Sequence, residues 1–339
     1  MKINNFAFLL IVLCIATLLF PSAYCPQTLQ LTTSTNKQSY ELGENVQVQG
    51  NLTLDGSPVS NGLVAIQIDN HKGAQIVIRV LPTGTLPPQD WRMELVEVVP
   101  CDQQGNPKSS FQTGTTAYFK PTIRSTDNIN RNVAVSLNLF YVSSMISIKA
   151  FFPLENYMIQ PGETRSPILG VPIPSLSSTG NAIVYACVFT ARPKDGGTAY
   201  SSEKSATFTI TSTSSTTTTY TTDVANPTST EGSYDLTFKL PSTNGVLGQY
   251  MIYANAMYKA EDIFPLVARA SKSFEVTLTG DINGDGIVDY RDIGIIARAY
   301  GTVPGDLNWD PRADLIKDSI IDYRDISLCA RNYGKSGTY

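Results

Sequence analysis

The sequence contains one histidine, His71, in the polar stretch DNHKG between two strand-like segments. Zinc sites and Ser-His-Asp triads place histidine beside further ligands or a nucleophile, so a single histidine in a turn argues against both. No glycine-rich phosphate-binding loop is present. Charged residues make up only 16 % of the chain and the net charge is −4, which argues against a nucleic-acid partner.

Long apolar runs are also scarce: one occurs, over residues 6–20, with Lys2 before it and small residues after it. This pattern predicts a secretory signal peptide over residues 1–25, because a transmembrane helix needs about twenty apolar residues. A retained membrane anchor is the alternative. Cys25 leaves lipidation open, although Tyr24 stands where a small residue is expected before a lipidated cysteine. We expect a secreted or cell-surface protein with no membrane span after signal cleavage.

The chain has five cysteines, of which two lie within or at the edge of the predicted signal. Cys329 occupies an apolar position in a predicted helix, so Cys101 and Cys187 are the remaining candidates for a disulfide. An oxidising location permits that bridge. Two buried thiols are the alternative, and the sequence does not decide between them.

Most of the chain alternates apolar and polar residues, as in NVQVQGNLTL at 45–54, and is interrupted by Gly, Pro, Asn and Asp turns. Period-two alternation of this kind predicts antiparallel β-sandwiches, so we expect a mainly β protein. The run TSTSSTTTTYTT cannot bury a core and predicts a Ser/Thr-rich linker over residues 211–230. The strand-like block after the linker contributes about three strands, which is thin for an independent sandwich, and the first block of the chain, with about four, also looks unfinished.

The run SYELGENVQVQGNLTLDGSPVSNGLVAIQI resembles the first half of an immunoglobulin-like module of the macroglobulin-repeat kind, found in many secreted prokaryotic proteins. GSYDLTFKLPSTNGVLGQYMIYANAMY, with the later SFEV, resembles its second half. The resemblance implies one discontinuous immunoglobulin-like sandwich made of residues 28–82 and 231–278. A second β-sandwich domain, residues 91–212, would then be inserted into it. Three separate β-domains in a row are the alternative.

The stretch DINGDGIVDYRD, residues 281–292, has the spacing of a calcium-binding loop. Calcium takes six to eight oxygen ligands, and its loop needs a sharp turn at position six, where Gly286 stands. Aspartate replaces the usual glutamate at position twelve. An Asp/Gly-rich surface turn is the alternative interpretation. The predicted ligands are Asp281, Asn283, Asp285, Ile287 through its carbonyl, Asp289 and Asp292.

A second copy, DLIKDSIIDYRD at residues 314–325, begins 33 residues after the first. Ile316 removes the oxygen at position three, Ser319 replaces the glycine, and Lys317 adds a positive charge. We therefore predict one good calcium site and a second that is weak or lost. The remaining ligand positions of the second copy are Asp314, Asp318, Ile320, Asp322 and Asp325.

Each loop is followed by apolar residues at i, i+3, i+4 and i+7, which predict a short helix ended by glycine. Each helix has too little apolar surface to stand alone, so we expect the two faces to pack together. The predicted faces are Ile293, Ile296, Ala297 and Tyr300 in the first copy, and Ile326, Cys329, Ala330 and Tyr333 in the second.

The doubled Asp-rich loop with its exit helix, over residues 281–334, resembles the type I dockerin module. With the first module, the chain is similar to exported surface proteins of archaea. The resemblance implies a small α-helical dockerin-like domain at 279–339 that binds Ca²⁺ and recognises a cohesin-like partner. This chain has Tyr-Arg at loop positions ten and eleven, where cellulosomal dockerins often carry Ser/Thr pairs. The alternative to partner binding is that these tyrosines and arginines cap and solvate the helices. The implied partner-binding residues are Tyr290, Arg291, Arg298, Tyr323, Arg324 and Arg331.

Together these patterns predict a non-catalytic exported protein whose β-sandwiches are scaffold or adhesion modules and whose calcium module docks on a protein. One alternative is a polysaccharide-binding or polysaccharide-degrading component, because paired catalytic carboxylates have no fixed spacing and a cell-surface glycan is a conceivable ligand. Another is that the repeat docks internally on its own sandwich as a calcium staple.

Overall fold

The computed structural model describes residues 27–88, 90–212, 230–258 and 265–339. Strands dominate these ranges, which contain only two α-helices, so the prediction of a mainly β chain is confirmed. The predicted signal peptide lies outside the described residues, as does most of the predicted linker. No helix in the described ranges is long and apolar enough to cross a membrane.

Strands from both sides of the linker build the first sandwich. Seven precede the second sandwich in the chain: β1 (Leu29–Leu31), β2 (Ser34–Thr35), β3 (Ser39–Glu41), β4 (Asn45–Leu54), β5 (Ser57–Pro58), β6 (Gly62–Asp69) and β7 (Gln75–Thr83). Four follow it: β17 (Ser233–Lys239), β18 (Gly245–Val246), β19 (Gly248–Tyr258) and β20 (Leu266–Thr277). Strand β17 pairs antiparallel with β4, and β19 pairs antiparallel with β6, with Ala254 opposite Ile66.

The resulting sheets are β1-β4-β17, with β2 and β5 also paired to β4, and β3-β20-β19-β6-β7. Val46, Val48 and Leu52 alternate along β4 and point into the core between the sheets, where they are fully buried. Tyr234, Leu236 and Phe238 of β17 do the same. The two chain segments therefore share one core, while the immunoglobulin-like assignment itself stays a prediction.

The second sandwich lies between β7 and β17 in the chain. Its strands are β8 (Met93–Cys101), β9 (Ser110–Gln112), β10 (Thr116–Ser125), β11 (Arg131–Tyr141), β12 (Ser147–Ile159), β13 (Thr164–Arg165), β14 (Leu169–Pro172), β15 (Gly180–Phe189) and β16 (Lys204–Thr211). One sheet runs β13-β10-β14 with β8 on β10, and the other runs β12-β11-β15-β16-β9. Phe111, Phe119 and Phe208 meet in its core with ring centroids 5.3 to 6.0 Å apart.

The two sandwiches pack face to face, which explains why β6 is buried at every position rather than at alternate ones. Its outward-facing Leu63 and Ala65 form a third apolar cluster with Ile78 of β7 and with Cys187 and Phe189 of β15. A second sandwich surface has therefore replaced solvent on the outer face of the first.

Several polar groups form hydrogen bonds across this contact. Asn138 of β11 accepts a hydrogen bond from the backbone N–H of Ile78 at 2.9 Å. Arg79 of β7 donates to Glu203, which directly precedes β16, with Nη2 2.5 Å from one carboxylate oxygen and Nε 2.9 Å from the other. The guanidinium carbon also lies 3.4 Å from the ring centroid of Tyr185.

The bridge left open between Cys101 and Cys187 is not formed, because both thiols are free and buried. Cys101 ends β8, whereas Cys187 lies in the contact between the sandwiches and its Sγ is 3.8 Å from a carboxylate oxygen of Glu203. Burial and that neighbouring carboxylate raise the pKa of Cys187 well above its usual value. A thiol held protonated in this way is unreactive.

Residues after β20 form two loop–helix copies with helices α1 (Tyr290–Ala299) and α2 (Tyr323–Arg331), followed by strand β21 (Gly337–Thr338). Asp289 and Asp322 are the N-caps, and each forms a capping box with the aspartate three residues later. The predicted helix positions are therefore correct, but the predicted faces are only partly so.

Ile296 and Cys329 are buried as predicted, whereas Tyr300 and Tyr333 are about half exposed. Ala297 and Ala330 are exposed as well. The capping boxes turn Asp292 and Asp325 inward, so the buried stripe of each helix starts from that aspartate. It continues through Ile296 and Ala299 in α1 and through Cys329 in α2, one position away from the predicted face in its last turn.

Candidate functional site

The backbone of the first loop wraps around its own acidic side chains. Asp281 accepts the N–H groups of Gly284 and Gly286, one on each carboxylate oxygen, both at 2.9 Å. Asn283 Oδ1 accepts the N–H of Asp285 at 2.8 Å, and Asp285 Oδ1 accepts that of Ile287 at 3.0 Å. These bonds hold positions one, three and five of the loop on one side of the turn.

Asp292 closes the loop from the first turn of α1 and is fully buried. One carboxylate oxygen accepts the N–H groups of Ile282 and Asn283 at 2.8 and 3.1 Å, and the other accepts that of Asp289 at 2.9 Å. The last of these bonds satisfies a backbone N–H at the helix terminus. Position twelve thus ties the start of the loop to the start of the helix.

The second copy repeats this closure bond for bond. Asp325 accepts from Leu315 and Ile316 at 2.8 and 3.1 Å on one oxygen, and from Asp322 at 2.8 Å on the other. Asp314 accepts the N–H of Ser319 at 3.0 Å, as Asp281 does that of Gly286. The loop fold therefore survives the sequence changes at positions three and six.

Both loops turn through the left-handed region at the same two positions. Gly284 and Gly286 have φ of +75° and +83°, and the corresponding Lys317 and Ser319 have φ of +63° and +69°. A non-glycine residue in that conformation costs about 1–2 kcal/mol. The second loop keeps the calcium-loop backbone under this strain, so contacts elsewhere must stabilise it.

Arginines at position eleven contact both loops, but unequally. Arg291 lies 3.1 Å from Asp285 and 4.0 Å from Asp289, and its side chain is 59 % exposed. Arg324 lies 2.7 Å from Asp318 and 2.8 Å from Asp322 through the same nitrogen.

These contacts are reflected in the acidity of the loops. The backbone N–H of Ile287, followed by the side chains of Asn283 and Arg291, holds the pKa of Asp285 below its usual value. In the second copy, the hydrogen bond from Arg324 is the main cause of the lowered pKa of Asp322. Both carboxylates are therefore stabilised as anions, the form that can ligate a cation.

The two copies are joined by reciprocal hydrogen bonds. Gly301, at the end of the first copy, donates to the carbonyl of Ile321 at 2.8 Å, and Ile321 donates to Thr302 at 3.1 Å. Gly334 donates to Val288 at 2.9 Å, and Val288 donates to Lys335 at 3.1 Å. Each helix exit is thus paired with the loop of the other copy, so neither copy is complete alone.

Strand β21 connects the first loop to the first sandwich. Gly337 donates to the carbonyl of Gly286 at 2.8 Å, and the backbones pass so closely that a Cβ on Gly286 would lie 2.5 Å from the Gly337 carbonyl. On its other side β21 pairs in parallel with β18. The hydroxyl of Tyr339 also donates to Asp281 at 3.3 Å.

The link from β20 into the loop is fixed from two directions. Glu41 of β3 accepts the N–H of Thr279 at 2.9 Å, and Asn332, after α2, donates its amide to the Thr279 carbonyl at 2.7 Å. The apolar residues of the module join the core of the first sandwich, among them Leu278, Ile282, Val288, Ile296 and Cys329. The module is packed onto the sandwich.

The first loop fits calcium in the chemistry of its donors. Carboxylate and amide oxygens stand at the expected positions, and both left-handed turns are glycine. The backbone bonds from this loop to Lys335 and Gly337 use the Val288 N–H and the Gly286 carbonyl but not the Ile287 carbonyl. In the described ranges no group of three or more His, Cys, Asp or Glu side chains is close enough to hold a metal ion. The loop acids accept backbone N–H groups, so calcium stays a prediction.

The second loop fits calcium poorly. Ile316 offers no side-chain oxygen at position three, and Asp318 and Asp322 are already paired with Arg324. Lys317 donates to the carbonyl of Pro311 at 3.2 Å and adds a second positive charge to the loop.

The six implied partner-binding residues are all exposed on α1 and α2. Tyr290 and Tyr323 are 67 % and 65 % exposed, and both lie at the first position of their helices. The capping role weighed for these positions is taken by Asp289 and Asp322 instead. The tyrosines are therefore available as large apolar contact surfaces.

Alanine substitutions at Gly286 and Gly284 are expected to separate two effects. Both place a Cβ at positive φ and should cost about 1–2 kcal/mol of unfolding free energy. Gly286→Ala should cost more, because only its Cβ meets the Gly337 carbonyl while Gly284 has open space around it. Chemical denaturation measures both variants, and equal losses would show that β21 does not press on the loop.

Some determinants of this site carry no signal that sequence patterns alone reveal. The pairing of β21 with the first loop depends on Gly337, the second of two glycines in the polar stretch GKSGTY. The role of Arg324 depends on its rotamer, since the same DYRD motif occurs in both copies.

No protein-family model matches this chain, and no curated protein matches it. Among solved structures, the C-terminal domain of wzt is 10 % identical, with a TM-score of 0.30 over 38 % of this chain and 85 % of that one. An alkylpurine DNA glycosylase from Pseudomonas fluorescens is 14 % identical, with a TM-score of 0.27 over 35 % of this chain and 30 % of that one. A β-glucosidase from Listeria innocua is 11 % identical, with a TM-score of 0.24 over 35 % and 15 %.

The chain spans less than a third of the glycosylase and less than a sixth of the β-glucosidase. All three likenesses have TM-scores below 0.5, so they carry no inference about fold or function.

Proposed function

We propose that this chain is a non-catalytic exported or cell-surface protein whose loop–helix repeat binds calcium in its first loop and docks on a protein partner. The β-sandwiches act as the scaffold that presents the repeat. The partner surface consists of the exposed side chains on the two helices: Tyr290, Arg291, Arg298, Tyr323, Arg324 and Arg331.

One observation carries the proposal: both copies expose the same Tyr-Arg pair at the start of a helix that the loop aspartate holds in place. Asp292 and Asp325 orient α1 and α2 through identical sets of three hydrogen bonds. Tyrosine and arginine are, with tryptophan, the residue types enriched at the energetic centres of protein interfaces. A repeat that positions two such pairs supports docking, and a cohesin-like module is the partner that the sequence resemblance implies.

Calorimetry on the full chain tests the calcium half of this proposal. We expect one calcium equivalent per chain, and none in Asp292→Asn, because loss of the closing carboxylate removes a ligand and a loop contact. Asp325→Asn is the matched control and should retain the equivalent. Two equally tight sites would contradict the assignment of the second loop.

Titration with a panel of cohesin modules, in calcium and then in EGTA, tests the docking half. Replacing both tyrosines, Tyr290→Ala with Tyr323→Ala, should weaken binding at least about a hundredfold if they are the central contacts. Ser327→Ala, at an exposed position of α2, is the control and should leave affinity unchanged. Absence of binding to every module, with calcium bound, would reject this partner class without rejecting the calcium site.

A second candidate role is that of an internal calcium staple for the sandwich. The observation that favours it is the shared path of β21, which bonds to the first loop on one side and to β18 on the other. Calcium binding would then stabilise the first sandwich as well as the helices. The two roles are compatible, because the staple uses the backbone of the first loop and β21, whereas docking uses the exposed side chains of α1 and α2.

A further inference from the structure

The second loop keeps four acidic side chains while losing the ligand and the glycine that calcium needs. Asp314 and Asp325 are almost fully buried, and Asp318 and Asp322 lie at its surface. Carboxylates gathered in one turn repel one another unless a cation lies among them. The first loop has the same repulsion and a donor set that calcium can satisfy.

A guanidinium is the cation that the second loop holds. Arg324 Nη2 is 2.7 Å from Asp318 Oδ2 and 2.8 Å from Asp322 Oδ2, and its Nε donates to both oxygens of Asp322 at 2.9 and 3.1 Å. It therefore bridges positions five and nine, two of the positions whose oxygens surround the ion in a calcium loop. A planar fork of donors suits such a bridge between carboxylates.

The matched arginine of the first loop makes a weaker contact. One nitrogen of Arg291 lies 3.1 Å from Asp285, whereas the distance to Asp289 is longer, at 4.0 Å. Its side chain is also the more exposed, 59 % against 43 % for Arg324. The same DYRD motif thus gives an arginine that bridges two aspartates in one loop and an arginine with a single close contact, to Asp285, in the other.

We propose that Arg324 is the resident cation of the second loop, so that this loop is closed without metal and only the first loop responds to calcium. The strain at Lys317 and Ser319 is sustained because the bridge ties the turn that contains them to the N-cap of α2. In the repeat, the second loop is then closed permanently, whereas closure of the first loop depends on calcium. Only the calcium comparison rests on the proposed function, since closure by Arg324 is measurable in the absence of metal.

A consequence for docking follows from this asymmetry. Arg324 stays bonded to its own loop and offers a partner only its exposed part, whereas calcium in the first loop would neutralise Asp285 and Asp289 and release Arg291 towards a partner. Calcium would therefore change the surface of α1 more than that of α2, although both helices carry the same motif.

Hydrogen exchange on the full chain in EGTA tests the bridge directly. Arg324→Gln should speed exchange of the Ser319 and Ile320 amides, which donate to Asp314 and Asp318, by about tenfold. Arg291→Gln is the matched control and should change the corresponding Gly286 and Ile287 amides much less. Equal, small changes in the two loops would overturn the proposal, as would exchange in 314–325 that Arg324→Gln leaves untouched.

Restoring the calcium ligands supplies an independent readout. Ile316→Asn with Ser319→Gly, made in the full chain, should give a second calcium equivalent that binds at least about tenfold tighter when Arg324→Gln is added. Identical affinity with and without Arg324 would overturn the proposal. If no variant binds calcium at either loop, the proposed calcium function fails, while the exchange experiment still decides whether Arg324 closes the loop.

Discussion

Replacing Glu203 with alanine is expected to lower the free energy of unfolding by about 3–5 kcal/mol, because the change leaves Arg79 charged and unpaired inside the protein. The side chains of Arg79 and Glu203 are only 4 % and 5 % exposed. Glu203 also accepts the backbone N–H of Val80 at 2.9 Å, so the variant leaves a second buried donor without its acceptor. Denaturant-induced unfolding of the full chain measures the loss.

Glu163→Ala is the matched control for this measurement. Glu163 pairs with Arg165 at the protein surface, where the two side chains are 24 % and 48 % exposed. Removal of a solvated pair of this kind should cost no more than about 1 kcal/mol. A loss for Glu203→Ala as small as that of the control would mean that water reaches Arg79 and that the pair does not lock the sandwiches together.

The double variant Arg79→Met with Glu203→Met separates an unpaired charge from lost packing. Removing both charges avoids the uncompensated guanidinium, so this variant should be more stable than Glu203→Ala alone. The contact of Arg79 with the ring of Tyr185 would also be lost, and the methionine side chain can replace part of that apolar contact. A double variant less stable than Glu203→Ala would assign the stabilisation to the specific ion pair.

The same contact shows where alternation along a strand is an incomplete guide. Alternation along β6 puts the apolar residues Val64, Ile66 and Ile68 on one face, and they lie together in the first core. The opposite face, with Leu63 and Ala65, is buried as well. Period-two reasoning identifies a strand but assigns its second face to solvent by default, so it contains no information about a sandwich packed on that face.

In the two loops, too, some features follow from the local sequence and others depend on how the chain packs. Acidic spacing and the turn at position six are local properties, so the left-handed conformation of Gly286 follows from the sequence, whereas the second left-handed turn, at Gly284 and Lys317, is a finding of the structure. The buried stripe of each helix is not local, because it depends on how Asp292 and Asp325 turn inward to close the loops. That rotation exposes Ala297 and Ala330, which a purely apolar periodicity places inside.

Calcium in excess is expected to stabilise the whole chain by about 2.7 kcal/mol when its concentration is a hundredfold above the dissociation constant. The stabilisation should extend beyond the repeat, because Gly337 links the first loop to β18 of the sandwich. Thermal unfolding monitored by the β-sheet signal, with calcium and with EGTA, measures it. An unchanged sandwich transition alongside a shifted helical one would mean that β21 does not transmit the effect.

Comparison of Asp292→Ala with Asp325→Ala separates the stability contributed by the calcium ion from the stability contributed by the local hydrogen bonds. Each removes a buried carboxylate that accepts three N–H groups and completes a capping box, so each should cost about 3 kcal/mol in EGTA. Only Asp292→Ala should also abolish the calcium-dependent gain, which makes its total deficit about twice as large in calcium. Equal deficits in calcium would mean that the first loop, like the second, owes its closure to the protein alone.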